Sequence, residues 1–259
     1  MATRQGWRRL RDLTLALAIG LLWPLAGLAQ DREIVDLELV LAVDSSSSVS
    51  DEEFDLQMRG ISEAFQHEAV LAAIQAAGDR GIAVSLIQWS DNLSQSTAVD
   101  WVRVNDLPSA LEFSRRIESS PRFLVGGSTA IGGALKFAAR QIERNAYDGV
   151  RKVIDLSGDG RTNQGPLPDG YRDRAVAQGI TINGLAILNE DFYVDRYYRS
   201  NVIGGTGAFV MTASDYIDFA QAILLKLIKE IAGVPVASLP PRHAPNVGLR
   251  AGPALPDGS

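Results

Sequence analysis

Asp44-Ser45-Ser46-Ser47-Ser48 follows directly on the apolar stretch Leu37 to Val43. A carboxylate trailed by closely spaced hydroxyls puts several hard oxygen donors on one turn, the ligand chemistry of Mg²⁺ or Mn²⁺ rather than of soft metals. A second acidic strand end occurs in Val153-Ile154-Asp155-Leu156-Ser157-Gly158-Asp159-Gly160, where Asp159 precedes a turn-forming glycine. A third segment, Gly126-Gly127-Ser128-Thr129-Ala130-Ile131, sets two flexible residues and two hydroxyls before a predicted helix. Thr129 has two uses there, capping that helix or ligating a metal. Asp155 is a rival carboxylate whose place inside the strand favours a structural or supporting role. Asp91 and Asn163 fall near the same rim, with no spacing rule to promote them.

Other chemistry finds little support. The chain has no cysteine, which excludes thiol catalysis and leaves the core without disulfides. Only two histidines occur: His67, predicted within a helix, and His243, among prolines. No serine-nucleophile motif accompanies either. Gly204-Gly205-Thr206-Gly207 is too short and wrongly spaced for a phosphate loop and reads as a turn.

The elements that must position these residues alternate through residues 36 to 231. Strands are predicted at Leu37 to Val43, Ile82 to Trp89, Thr97 to Val104, Val153 to Leu156, Ile180 to Leu188 and Phe209 to Thr212, several of them apolar almost throughout, as in a parallel sheet covered on both faces. Ser50 with Asp51, Glu52 and Glu53 forms a capping box, after which Phe54, Met58, Ile61 and Phe65 recur on one helical face. Further helices are predicted at Leu107 to Glu118, Thr129 to Asn145, Asp169 to Gln178 and Ser214 to Ile231. The last carries Phe219, Ile223, Leu227 and Ile231 as an apolar stripe, with Lys226, Lys229 and Glu230 off it. The expected fold is α/β, a single domain with a doubly wound, mostly parallel sheet flanked by helices. In such a sheet ligands sit outside the carboxyl ends of the strands, where Asp44 and Asp159 both fall.

The ends differ in character. Arg4, Arg8, Arg9 and Arg11 precede the apolar run Leu13 to Trp23, and Gly27-Leu28-Ala29 supplies the small residues of a cleavage site, so residues 1–29 are expected to be a signal peptide cut after Ala29. The protein is then exported, to the periplasm or beyond, with no membrane span in the mature chain. Removing those residues takes away four Arg and one Asp and moves the formal charge from −6 to −9, which opposes nucleic-acid binding. Residues 233–259 hold six of the eleven prolines and read as a disordered tail, leaving residues 30–232 as the domain.

Together the three oxygen-bearing segments resemble the von Willebrand factor type A domain and its metal-ion-dependent adhesion site. The resemblance runs over about residues 34 to 232 in the right order. In that family a D-x-S-x-S loop, a threonine from a second loop and an aspartate after the fourth strand surround one divalent cation. The resemblance implies Asp44, Ser46, Ser48, Thr129 and Asp159 as ligands of Mg²⁺ or Mn²⁺. It also implies a partner protein that presents an acidic residue to the metal. One departure is Gly158, where the family often has threonine. The leading expectation is therefore an exported, metal-dependent binding module rather than an enzyme. The alternatives are a metal-assisted hydrolase of the phosphate-ester class and an assembly subunit of the cell envelope. The aromatic and charged segment Asp191 to Arg199 is either a binding surface beside the site or a closure of the sheet edge.

Overall fold

Val35 to Asp44 are buried without a break, which a strand can sustain only at the centre of a sheet covered on both faces. The computed structural model describes residues 32–233 and places that strand, β1 (Glu33–Asp44), between β2 (Ile82–Trp89) and β4 (Tyr147–Gly158). β3 (Gln95–Val104), β5 (Ile180–Ile187) and β6 (Val210–Ala213) complete a six-stranded sheet of order β3-β2-β1-β4-β5-β6. Every neighbouring pair is parallel except β2 and β3, which are joined by the short Ser90–Ser94 loop and run antiparallel. The proposed signal segment and the tail beyond Gly233, with His243, lie outside the described residues.

The period-2 alternation of β1 feeds two cores. Leu37, Leu39, Leu41 and Val43 meet α1 (Asp51–Gln66), α2 (Glu68–Ala77), α3 (Leu107–Glu118) and α7 (Phe219–Ala232) through Phe54, Ile74, Phe113 and Phe219. Val40 and Ala42 meet α4 (Ile131–Arg144), α5 (Asp169–Ala177) and the short α6 (Val194–Tyr197) through Leu135, Ala175 and Val194 on the other face. Helices thus cover both faces of one mostly parallel sheet, as expected. α6 passes directly into a π-helical turn, Tyr198–Val202.

Several boundaries differ from those read in the sequence. His67 is not inside a helix: it closes α1 and caps α2, a helix the sequence reading missed, with its Nδ1 accepting the Ala69 N–H at 3.1 Å. The predicted helix from Ser214 begins only at Phe219, because the Asp215 carboxylate accepts the N–H groups of Ile217 (2.8 Å) and Asp218 (2.9 Å) and holds Ser214–Asp218 as a turn. β4 extends to Tyr147 beyond its apolar centre by pairing with β1 through Glu33↔Tyr147. On α7, Lys226 and Glu230 are not solvated: both are buried against Asp155 and Asn183 of the sheet.

Candidate metal centre

Parallel pairing decides where the oxygen donors meet. β1 and β4 run side by side with Val43 opposite Ser157, so Asp44 and Asp159 leave the same edge of the sheet from adjacent strands. A chain of hydrogen bonds then links four of the five expected ligands. Asp44 Oδ1 accepts the Ser46 N–H at 2.8 Å, the Ser46 and Ser48 hydroxyl oxygens lie 3.2 Å apart, and the Ser48 hydroxyl donates to Asp159 Oδ1 at 2.8 Å. Asp44, Ser46 and Asp159 are buried, whereas Ser48 is exposed and marks the open side.

Thr129 joins them from the loop before α4. It does not cap that helix, whose N-cap is Ala130 and makes no side-chain capping bond. The Thr129 main chain is clamped by Asn163, which accepts its N–H through Oδ1 at 2.8 Å and donates its own N–H to the Thr129 carbonyl at 2.9 Å. Its side chain faces the turn after Asp159: a Cβ on Gly160 would lie 3.7 Å from both Oγ1 and Cγ2 of Thr129. Gly127 takes φ 99°, and a side chain there would run into Asp91, whose carboxylate accepts the Ser128 N–H at 2.7 Å. Asp91 and Asn163 therefore brace the threonine loop, a role that no sequence spacing signals.

Two more supports were absent from the sequence reading. Arg122 donates through Nη2 to the carbonyls of Ser45 (3.2 Å), Ser46 (3.3 Å) and Val49 (2.8 Å), gathering the serine loop from below, while Nη1 pairs with Asp51 at 2.7 Å. The Tyr216 hydroxyl, from the turn ahead of α7, donates to Asp159 Oδ2 at 3.0 Å. Both come from loops distant in sequence from their targets, so only the folded sheet edge reveals them.

The electrostatics favour a cation. Burial, and then the nearby Asp159 carboxylate, push the Asp44 carboxyl up to about 7, against the lowering effect of the Ser46 hydrogen bonds and Arg122. Asp159 is raised too, chiefly by burial, although Ser48 and Tyr216 donate to it. Asp44 Oδ2 is buried and accepts no hydrogen bond among the described residues. An orphaned carboxylate oxygen of this kind is costly unless something positive reaches it. No group of three His, Cys, Asp or Glu side chains able to hold a metal occurs among the described residues, and the five residues expected as ligands offer two carboxylates and three hydroxyls. Those donors fit a hard divalent ion that retains water ligands. Asp155 does not belong to the set: it points to Lys226 Nζ at 2.6 Å on the α7 face.

The aromatic segment after β5 divides between core and surface. Val194 and Tyr198 are in the core, whereas Phe192 and Tyr193 are exposed. Gly204–Gly207 forms the turn expected before β6, with Gly204 bridging back to Ile182.

Comparison with known proteins agrees with this architecture. No curated protein matches the chain. Among solved structures, proximal thread matrix protein 1 from the mussel byssus superposes with a TM-score of 0.59 at 16% identity, over 78% of this chain and 49% of the mussel chain. A second structure of it, with a zinc-occupied MIDAS motif, gives 0.54 at 19% identity over the same shares of the two chains. The vWF domain of the type V pili tip protein Mfa5 from Porphyromonas gingivalis gives 0.53 at 13% identity, over 81% of this chain and 98% of that one. This chain thus spans about half of the mussel protein and nearly all of the pilus-tip domain. The family model described as "Protein of unknown function (DUF1194)" matches residues 34–235, so the chain belongs to that family and its fold is that of a von Willebrand factor type A domain.

Proposed function

We propose that this protein is an exported binding module that captures an acidic group of a partner protein through a divalent cation held by Asp44, Ser46, Ser48, Thr129 and Asp159. The observation that carries the reading is the buried Asp44 carboxylate, whose Oδ2 has no donor among the described residues and on which the charge of Asp159 acts more strongly than that of Arg122. Such a pair is a poor structural device and a good cation receptor. Mg²⁺ or Mn²⁺ bound there supplies an open coordination position for an anionic oxygen. The chain's own residues do the rest. Ser48 presents its hydroxyl at the surface, Arg122 fixes the serine turn, Asn163 fixes Thr129, and Tyr216 holds the outer oxygen of Asp159.

The surrounding loops support a macromolecular partner. Leu93, Phe123, Val125, Leu167, Phe192 and Ile217 are exposed, and each stands on a loop at or next to the sheet edge that bears the site. These loops are stitched together by Asn92 N–H to Gln164 (3.0 Å), Ser47 N–H to the Gly127 carbonyl (3.0 Å) and Arg161 to Asp191 (2.6 Å). Clustered apolar side chains around a charged centre suit a protein surface better than a small solute. The likeness to a thread matrix protein and a pilus-tip domain is in keeping with export, as is the expected leader at residues 1–29. No catalytic residue is assigned.

Calorimetric titration with Mg²⁺ and Mn²⁺ tests the centre: the wild type should bind, and Asp44→Ala and Asp159→Ala should not. Capture of a partner from envelope extract should then fail in EDTA and with Asp44→Ala. No metal uptake by the wild type, or capture indifferent to EDTA, overturns the proposal.

A further inference from the structure

Two buried polar atoms without partners face the same small space beside the metal centre. One is Asp44 Oδ2; the other is the Tyr198 hydroxyl, which neither donates nor accepts a hydrogen bond among the described residues. A Cβ on Gly158 would stand 2.8 Å from the first and 2.7 Å from the second, with Trp89 Cζ2 at 3.2 Å. The acceptor and the donor therefore border the space of one missing side chain, at most a single water's span apart. Leaving either buried group unsatisfied costs about 1–3 kcal/mol, so a phenol placed here without use is a poor way to fill a core. Phenylalanine would occupy the same volume without that penalty.

The route of the ring is also cleared for it. A Cβ on Gly184 of β5 would come within 2.6 Å of Tyr198 Cδ1, so glycines on two adjacent strands open the slot through which the ring reaches Asp44. Tyr198 is fully buried and begins the π-helical turn that follows α6. Widened turns of this type recur at functional sites because they re-aim a side chain.

We propose that Tyr198 is a positioning residue of the metal centre: with the cation bound, its hydroxyl donates to Asp44 Oδ2 through one trapped water and so orients the carboxylate. Gly158 is the counterpart of that choice, because a hydroxyl-bearing side chain at 158 would occupy the same space and serve Asp44 from β4 instead.

This inference rests on the metal-centre reading, and its test separates the two. Mn²⁺ titrations are run on the wild type, Tyr198→Phe, Gly158→Ser and the double variant, with thermal melts in EDTA alongside. Tyr198→Phe should bind Mn²⁺ about tenfold more weakly, the usual loss when a hydrogen-bonding support of a ligand is removed. Its melting temperature in EDTA should equal or exceed that of wild type, since the lost hydroxyl has no hydrogen-bond partner among the described residues of the metal-free fold. Gly158→Ser alone should weaken binding by collision with the phenol, whereas added to Tyr198→Phe it should restore at least half of the lost affinity on a logarithmic scale. That rescue is an effect a merely space-filling tyrosine would not produce. Tyr198→Phe affinity within twofold of wild type, or a double variant no tighter than Tyr198→Phe, overturns the inference while leaving the metal centre intact. A wild type that takes up no Mn²⁺ overturns the metal centre and this inference with it.

Discussion

Asp44 carries opposing demands in one side chain. It is fully buried beside another carboxylate, with a carboxyl pushed up to about 7, so in the metal-free protein its ionised form works against the fold. Because the folded-state value lies above the unfolded value of 3.8, the folded protein holds this proton more tightly. Stability without metal should therefore fall as pH rises from about 4 through about 7 and level off above that. Asp44→Asn keeps the shape and removes the charge. Urea melts in EDTA at pH 8 should show it more stable than wild type by roughly 2–4 kcal/mol, and the difference should shrink toward pH 5. Mn²⁺ binding should vanish in the same variant. An Asp44→Asn protein less stable than wild type at pH 8 would contradict the burial argument. At this scale Asp44 and Asp159 were legible in the sequence because each lies where an apolar run meets a turn, and the resemblance added Ser46, Ser48 and Thr129 as expected ligands. Arg122, Asn163 and Tyr216 were not, since what they do depends on hydrogen bonds to loops 34 to 77 residues away.

Helix α7 shows how an element's pattern can be read correctly and still mislead. Phe219, Ile223, Leu227 and Ile231 form the apolar stripe seen in the sequence, and all four are in the core. Lys226 and Glu230, read as lying off that stripe, are buried as well, because the sheet beneath them is not wholly apolar. Asp155 of β4 meets Lys226 Nζ at 2.6 Å, and Asn183 of β5 donates to Glu230 Oε1 at 2.8 Å while accepting the Phe209 N–H at 3.1 Å. Burial, then the Asp155 charge, raise the Glu230 carboxyl, while Lys226 Nζ, 2.5 Å from Glu230 Oε1 and 2.6 Å from Asp155 Oδ1, opposes that rise. The consequences of substitution should be unequal. Lys226→Met strands the Asp155 charge and should cost about 3–5 kcal/mol in urea unfolding. Glu230→Gln mimics the protonated acid and should cost about 1 kcal/mol or less. Equal losses would mean that both carboxylates are ionised. Helical periodicity marks apolar faces well, but a polar cluster shared between a helix and two strands has no period of its own in any of the three segments. α2 was missed for a related reason: its start is capped by His67 rather than by a Ser, Thr, Asp or Asn signal.

Across the whole molecule the sheet separates support from binding. Its central strands β1 from Val35 onward, β2, and β4 from Val153 onward are buried and carry the two cores, while the loops at one edge carry the carboxylates, hydroxyls and exposed apolar side chains. The strand–helix alternation announced this architecture, because a parallel sheet requires both faces covered and so leaves near-continuous apolar runs in the sequence. The antiparallel direction of β3 was not announced, since Gln95–Val104 is only half-buried and its direction is set by the five-residue loop after β2. A rigid frame bearing a charge-frustrated edge makes the fold itself a reporter of the metal. An ion that binds only the folded state stabilises it by about 2.7 kcal/mol at one hundred times its dissociation constant. For a domain of this size that corresponds to a rise of roughly 5–10 °C in melting temperature. Scanning calorimetry at pH 8 should therefore show the wild type melting higher in Mg²⁺ or Mn²⁺ than in EDTA, with the shift growing by the logarithm of metal concentration. Asp44→Asn should melt at one temperature in both. Lys226→Met, damaged on the α7 side of the sheet and not at its edge, should melt lower overall yet keep the full metal shift, because the two sites share no ligand. If Lys226→Met loses the shift as well, the frame and the edge are coupled more tightly than their separate side-chain networks indicate.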